Sequence, residues 1–114
     1  MPSLVSAKNH CIILTTAGST AEGTRLARLL IKKRVAACVN ILPGVKSIYR
    51  WKGTLEEGRE VQLIIKTSRA CVKEISEILR QHHSYELPEF IVLALQKTEK
   101  NYLLWMNKSL RSFP

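Results

Sequence analysis

The stretch AACVNILPGVKSIYRWKGTLEEGREVQLIIKT (Ala36 to Thr67) decides the fold. From Val45 to Trp51 the residues alternate, with Val45, Ser47, Tyr49 and Trp51 on one side and Lys46, Ile48 and Arg50 on the other. This is the period of two that a pleated strand imposes. Val61, Leu63 and Ile65 alternate with Gln62, Ile64 and Lys66 in the same way, so the two runs form one long hairpin turning at Lys52-Gly53-Thr54. Pro43-Gly44 demands a bend or bulge in its first arm. An arm that carries Tyr49 and Trp51 to its far end overruns the core of a small chain and leaves apolar surface on an open edge, which proteins normally cover. A second subunit is expected there.

Working outward, His10 to Thr16 (HCIILTT) is a short apolar run suited to a strand buried on both faces, and residues 1–8 before it read as a loose tail. Ser19 with Glu22 forms the S-x-x-E capping box of a helix running to about Arg34, whose buried stripe is Leu26, Leu29 and Leu30. After the hairpin, Ser68 is placed to cap a second helix with Val72, Ile75, Leu79 and His82 on one stripe. Leu87-Pro88 leads into FIVLAL (Phe90 to Leu95), which reads as a strand covered on both sides. A last helix, Glu99 to about Leu110, presents Tyr102, Trp105, Met106 and Leu110 as its docking stripe. The order β-α-β-β-α-β plus a helix predicts an α+β fold: a ferredoxin-like sandwich with a long β-hairpin and an additional C-terminal helix. The fold alone assigns no function.

Composition narrows the classes. The 114 residues suffice for a single domain (1–114) that folds without disulfide or metal staples. No apolar run approaches the ~20 residues that span a bilayer, and the N-terminus lacks the pattern of a signal peptide, so a cytoplasmic protein without a membrane partner is expected. Cys11, Cys38 and Cys71 are an odd number at wide spacing, fitting no disulfide framework, zinc knuckle or redox pair; buried, reduced thiols are expected. The net charge of +9 raises the question of nucleic acid. However, Arg25, Arg28 and Lys32 repeat at helical spacing as a solvated face, and the third strand, REVQLIIK, lacks the aromatics on which RNA-binding members of the fold stack bases. No nucleic-acid partner is expected. No Ser/His/Asp or Cys/His order, phosphate loop or carboxylate pair stands out either, and the chain is expected not to be an enzyme.

Four separated segments, AACVNILPGVKSIYRWKG (Ala36 to Gly53), EVQLIIKT (Glu60 to Thr67), HHSYELPE (His82 to Glu89) and NYLLWM (Asn101 to Met106), together resemble the CutA family of divalent-cation tolerance proteins. The resemblance runs from about Cys11 to Leu110. It implies a homotrimer in which the hairpin of one subunit packs on its neighbour, binding of copper or another divalent cation, and kinship to the trimeric PII signalling proteins. Two functional expectations follow: a copper-binding trimer of metal tolerance, or a PII-like regulatory trimer that binds a small ligand between subunits without a committed metal site.

The residue types can be weighed against both. His82 and His83 are good ligands for copper or zinc, but neighbours on a helix point about 100 degrees apart and need partners from elsewhere. The family pairs such histidines with a first-strand cysteine; here Thr15 stands at that position, which removes the softest ligand, and Ser84 replaces the family's usual proline. The competing reading packs His82 into the helix stripe and lets His83 cap the helix end. Cys38, among apolar neighbours, reads as core. Lys66, Tyr85 and Glu89 occupy motif positions that the resemblance places near an intersubunit cleft with Trp51 and Trp105 as walls, a site for a small ligand; the alternative is a Lys66–Glu89 ion pair that only fixes strand order.

Overall fold

The computed structural model describes residues 3–111. Its main sheet contains β2 (His10–Ala17), β3 (Cys38–Trp51), β4 (Thr54–Ser68) and β5 (Ile91–Ala94) in the antiparallel order β3-β4-β2-β5, with α1 (Thr20–Lys32) and α2 (Val72–His82) between them in sequence. This is the ferredoxin-like α+β arrangement. A two-stranded sheet joins β1 (Leu4–Ser6) to β6 (Lys97–Glu99), and α3 (Lys100–Ser109) follows. The tail reading of residues 1–8 is therefore corrected over Leu4–Ser6, whose backbone groups are paired; residues 1 and 2 lie outside the described residues.

Period two divides the sheet into unlike faces. Cys11, Ile13, Val61, Leu63 and Ile65 point toward the helices and pack with Leu26 and Leu30 of α1 and Ile75 and Leu79 of α2 in one buried cluster. Gly23 lets α1 approach closely, since a Cβ there would sit 3.0 Å from Val61 Cγ2 and 3.3 Å from Leu63 Cδ1. Met106 and Leu110 tie α3 into the same cluster, but Tyr102 and Trp105 of the expected docking stripe stay largely exposed. The opposite face carries no helix cover. There Leu42, Ile91 and Leu93 remain 44, 46 and 47% exposed, so β5, read from its continuous apolar run as covered on both sides, is an open edge strand within one chain.

The long hairpin is present. Trp51 pairs with Thr54 across Lys52 (φ 50°) and Gly53 (φ 80°), the two left-handed residues of a type I′ turn. The register slips between Leu42 and Val45, where Gly44 adopts φ 72°, as expected for a Pro-Gly bulge. The extension gives principal dimensions of 47 × 30 × 23 Å and a radius of gyration of 15.1 Å, against about 13 Å for a compact chain of this length.

Helix ends follow local chemistry with one correction. Ser19 Oγ accepts from Glu22 N at 3.1 Å, and the Glu22 carboxylate reaches back to Gly18 N at 3.2 Å. Ser68 was expected to cap α2, but it precedes a 3-10 turn (Arg69–Cys71), and its hydroxyl donates to Cys71 Sγ at 3.3 Å instead. At the end of α3, the Arg34 guanidinium donates to the carbonyls of Lys108 and Ser109.

Candidate functional site

The alternation in β3 that places Ser47, Tyr49 and Trp51 on one side also brings Glu60 of β4 to that side, through the Val45–Glu60 pairing. Thr16 at the end of β2 and the segment from Tyr85 to Glu89, which crosses from α2 to β5, complete an open cleft of about 880 Å³. Gly58, paired with Ser47, leaves space beside Tyr49. Leu87 and Pro88 supply apolar wall; Glu86 and Glu89 add two further carboxylates.

Glu60 anchors the cleft. Its Oε2 accepts from the Tyr85 hydroxyl at 2.8 Å, and the hydroxyls of Ser47 and Thr16 also donate to it. Burial pushes the Glu60 carboxyl up, but these hydrogen bonds outweigh burial and leave it below the ordinary glutamate range. The same pairing acts oppositely on Tyr85: burial, then the hydrogen bond to Glu60 and its charge, hold the phenol protonated far above its usual range. Glu89 Oε2 accepts from Gln62 Nε2 at 3.1 Å. Among the described residues, none of Glu60, Glu86 and Glu89 has a cationic side chain within ion-pair distance.

A second layer supports the turn that carries Tyr85. The His83 side chain is fully buried; Nε2 donates to Thr16 O at 2.6 Å, while Nδ1 accepts from Tyr85 N at 3.0 Å. Glu22 accepts from Ser84 N at 2.8 Å and from the Ser84 hydroxyl at 3.0 Å, so the departure from proline at position 84 gains two bonds rather than loosening the turn. Burial raises the Glu22 carboxyl, and the bonds from Ser84 and Gly18 more than offset it, leaving it below the ordinary range.

The sequence-derived candidates meet this geometry unequally. Tyr85 and Glu89 both line the cleft. Lys66 does not: its ammonium lies 3.5 Å from the Tyr102 hydroxyl and 5.8 Å from the Tyr102 ring, four residues up β4 from Gln62, and the Lys66–Glu89 ion pair is not formed. Trp51 is a wall of the cleft, whereas Trp105 packs beside Tyr102 at 5.3 Å. The histidine pair separates into a buried ring whose two nitrogens are both engaged and an exposed neighbour, His82. His83 can take a metal only by giving up one of those bonds, and the His82 and His83 rings do not act as one chelate. Thr15, at the position of the family's cysteine, points into the helix-covered core with its hydroxyl unpartnered, away from the cleft. Among the described residues no group of three or more His, Cys, Asp or Glu converges to hold an ion. Cys11 and Cys71 are buried and Cys38 is partly buried; all three thiols are free, and burial, then the nearby Cys71, pushes the Cys11 thiol up.

Sequence reading missed Thr16, Ser47, Glu60 and Glu86. Glu60 opens a segment singled out for other reasons, and the Ser47-Tyr49-Trp51 face was legible. Nothing local brings that face to Tyr85, because the contact depends on strand order.

The fold and this cleft define an antiparallel ferredoxin-like protein with a carboxylate-lined, aromatic-walled cleft on an overlong hairpin. The CutA1 divalent ion tolerance family model matches residues 11–109, and the chain belongs to that family. It is 39% identical over 109 residues to the divalent-cation tolerance protein CutA of Yersinia pestis (strain Pestoides F), covering 96% of this chain and 92% of that protein. The crystal structure of CutA1 from Oryza sativa superposes with a TM-score of 0.89 at 35% identity, over 91% of this chain and 95% of that one. A third relative, from Archaeoglobus fulgidus, matches with a TM-score of 0.87 at 33% identity, over 90% and 99% of the two chains, and is described as a periplasmic divalent cation tolerance protein. That description overturns the cytoplasmic location expected from the N-terminal sequence. A short apolar count at the N-terminus reports on that segment alone and does not fix the compartment.

Proposed function

We propose that the protein is a divalent-cation-binding homotrimer of metal tolerance and that the cation, copper or another divalent ion, is drawn to the cleft beside Tyr85 rather than to the His82–His83 pair. One observation carries this reading. In a chain with 18 basic and 9 acidic side chains, three of the nine acidic residues, Glu60, Glu86 and Glu89, line the cleft, and no lysine or arginine does. Such a site concentrates cations against the overall charge of +9. Carboxylates and hydroxyls suit hard and borderline divalent ions, and copper(II) heads the affinity order at a given oxygen–nitrogen site. The three carboxylates do not converge within one chain, and the uncovered apolar face around Leu42, Ile91 and Leu93 supports further copies that close the cleft and complete its ligands. Binding rather than catalysis is the role that fits, since Glu60 is held ionised and Tyr85 protonated, so neither is poised to exchange a proton near neutral pH.

Calorimetric titration with copper(II) and zinc(II) tests the assignment on the wild-type protein, the Glu60→Gln/Glu89→Gln double variant and His82→Ala. Affinity is expected to fall in the carboxylate variant and to persist in His82→Ala. The reverse pattern would return the site to the histidine.

A second reading is favoured by the volume. A cleft of about 880 Å³ is far larger than one ion and falls in the range of small-molecule sites, as a PII-like ligand-binding trimer requires.

A further inference from the structure

The composition of the cleft wall goes beyond what an inorganic cation needs. A metal ion uses the oxygens of Glu60, Glu86 and Glu89; it gains little from Tyr49 and Trp51, two aromatic side chains on the same face of β3 that line the cleft. Aromatic faces attract organic cations, with Trp the best of them. The Trp51 ring already does this within the chain, for the Lys52 ammonium lies 5.7 Å from its centroid.

The carboxylates narrow the class of cation. A quaternary ammonium has no N–H to give, whereas ionised carboxylates are pure acceptors that favour N–H donors. Glu60 takes its hydrogen bonds from the neutral hydroxyls of Tyr85, Ser47 and Thr16, and Glu89 from the neutral amide of Gln62, so neither is paired with a cationic side chain. More than one such group in one cleft calls for more than one ammonium. Leu87 and Pro88 offer an apolar surface suited to methylene spacers.

We propose that the cleft binds a linear aliphatic polyamine, its ammonium groups on the Glu60, Glu86 and Glu89 carboxylates and the Trp51 and Tyr49 rings, its methylenes on Leu87 and Pro88. This rests on the reading of the cleft as the cation site, and names an organic ligand class for it.

The test is calorimetric titration of the full-length protein with spermidine at low salt, alongside copper(II), for the wild type, Trp51→Ala and Glu60→Gln/Glu89→Gln. The wild type is expected to bind spermidine saturably. Trp51→Ala should weaken spermidine by roughly ten-fold and copper by far less, because only the organic cation uses the ring. The carboxylate variant should weaken both. Absence of spermidine binding in a wild-type protein that binds copper through these carboxylates overturns the polyamine assignment alone, as does spermidine binding indifferent to Trp51→Ala. Copper and spermidine both indifferent to the carboxylate variant overturn the cleft reading itself. Should Trp51→Ala unfold, Trp51 emission in a Trp105→Phe background gives the same answer: a saturable change with spermidine supports the contact, and an unchanged spectrum at saturating heat overturns it.

Discussion

The Tyr85 hydroxyl donates to the Glu60 carboxylate at 2.8 Å, joining the turn after α2 to the base of the hairpin. This one bond fixes two protonation states, since it helps lower the Glu60 carboxyl and helps raise the Tyr85 phenol. It also ties the segment that begins at Tyr85 to strand β4.

Tyr85→Phe is therefore expected to destabilise the fold by about 2 kcal/mol, the scale of a hydrogen bond to a charged group, read by urea unfolding. In the wild type, ultraviolet titration should show Tyr85 still protonated at pH 11, where an ordinary tyrosine has ionised; full ionisation of all three tyrosines in the folded protein would contradict the Glu60 contact.

Glu22 and Glu60 both titrate below the ordinary glutamate value of about 4.5 in the folded chain. The unfolded chain then binds more protons than the folded one just below that value. Their contribution to stability is complete above pH ~4.5 and is lost as pH falls through the lowered folded values. Denaturation midpoints measured from pH 6 to pH 2 should decline only below pH ~4.5, and Glu22→Gln should flatten the decline.

The two histidines should respond oppositely to truncation. His83→Ala leaves the part-buried Thr16 carbonyl and Tyr85 N–H without this partner and should cost about 2 kcal/mol. His82→Ala removes only an exposed ring and should stay within about 0.5 kcal/mol of the parent. Equal losses in chemical denaturation would refute the separation of the pair.

Gly23→Ala sets helix propensity against packing. Alanine gains about 1 kcal/mol in a helix interior, but its methyl would press to 3.0 Å on Val61 and 3.3 Å on Leu63, both buried. Neither neighbour has room to yield, so the net change should be destabilising by about 1 kcal/mol. A raised melting temperature would show that α1 can lift off the sheet.

Light scattering at micromolar concentration should give about three times the 12.9 kDa chain mass. Leu93→Glu on the uncovered sheet face should lower that mass toward one chain without removing secondary structure; an unchanged mass would mean that β5 lies outside the interface.

What the sequence determined was local or periodic. The alternation at Val45–Trp51 and Val61–Ile65, the Pro43-Gly44 bulge, the Lys52-Gly53 turn and the Ser19–Glu22 capping box each act within a few residues, so the chain displays them directly. Tyr85 and Glu89, singled out because they stand in a motif, do line the cleft. Tertiary structure alone decided the rest, because antiparallel order β3-β4-β2-β5 sets which strand ends meet. It carried Thr16, Ser47 and Glu60 to Tyr85, and left Lys66 with Tyr102, four residues too far along β4. It turned adjacent His82 and His83 to unlike surroundings, since the helix ends between them and the second ring drops into the core to bond Thr16. It also left the apolar strand β5 half-exposed at a sheet edge, a position that hydrophobicity does not encode and that only strand order assigns.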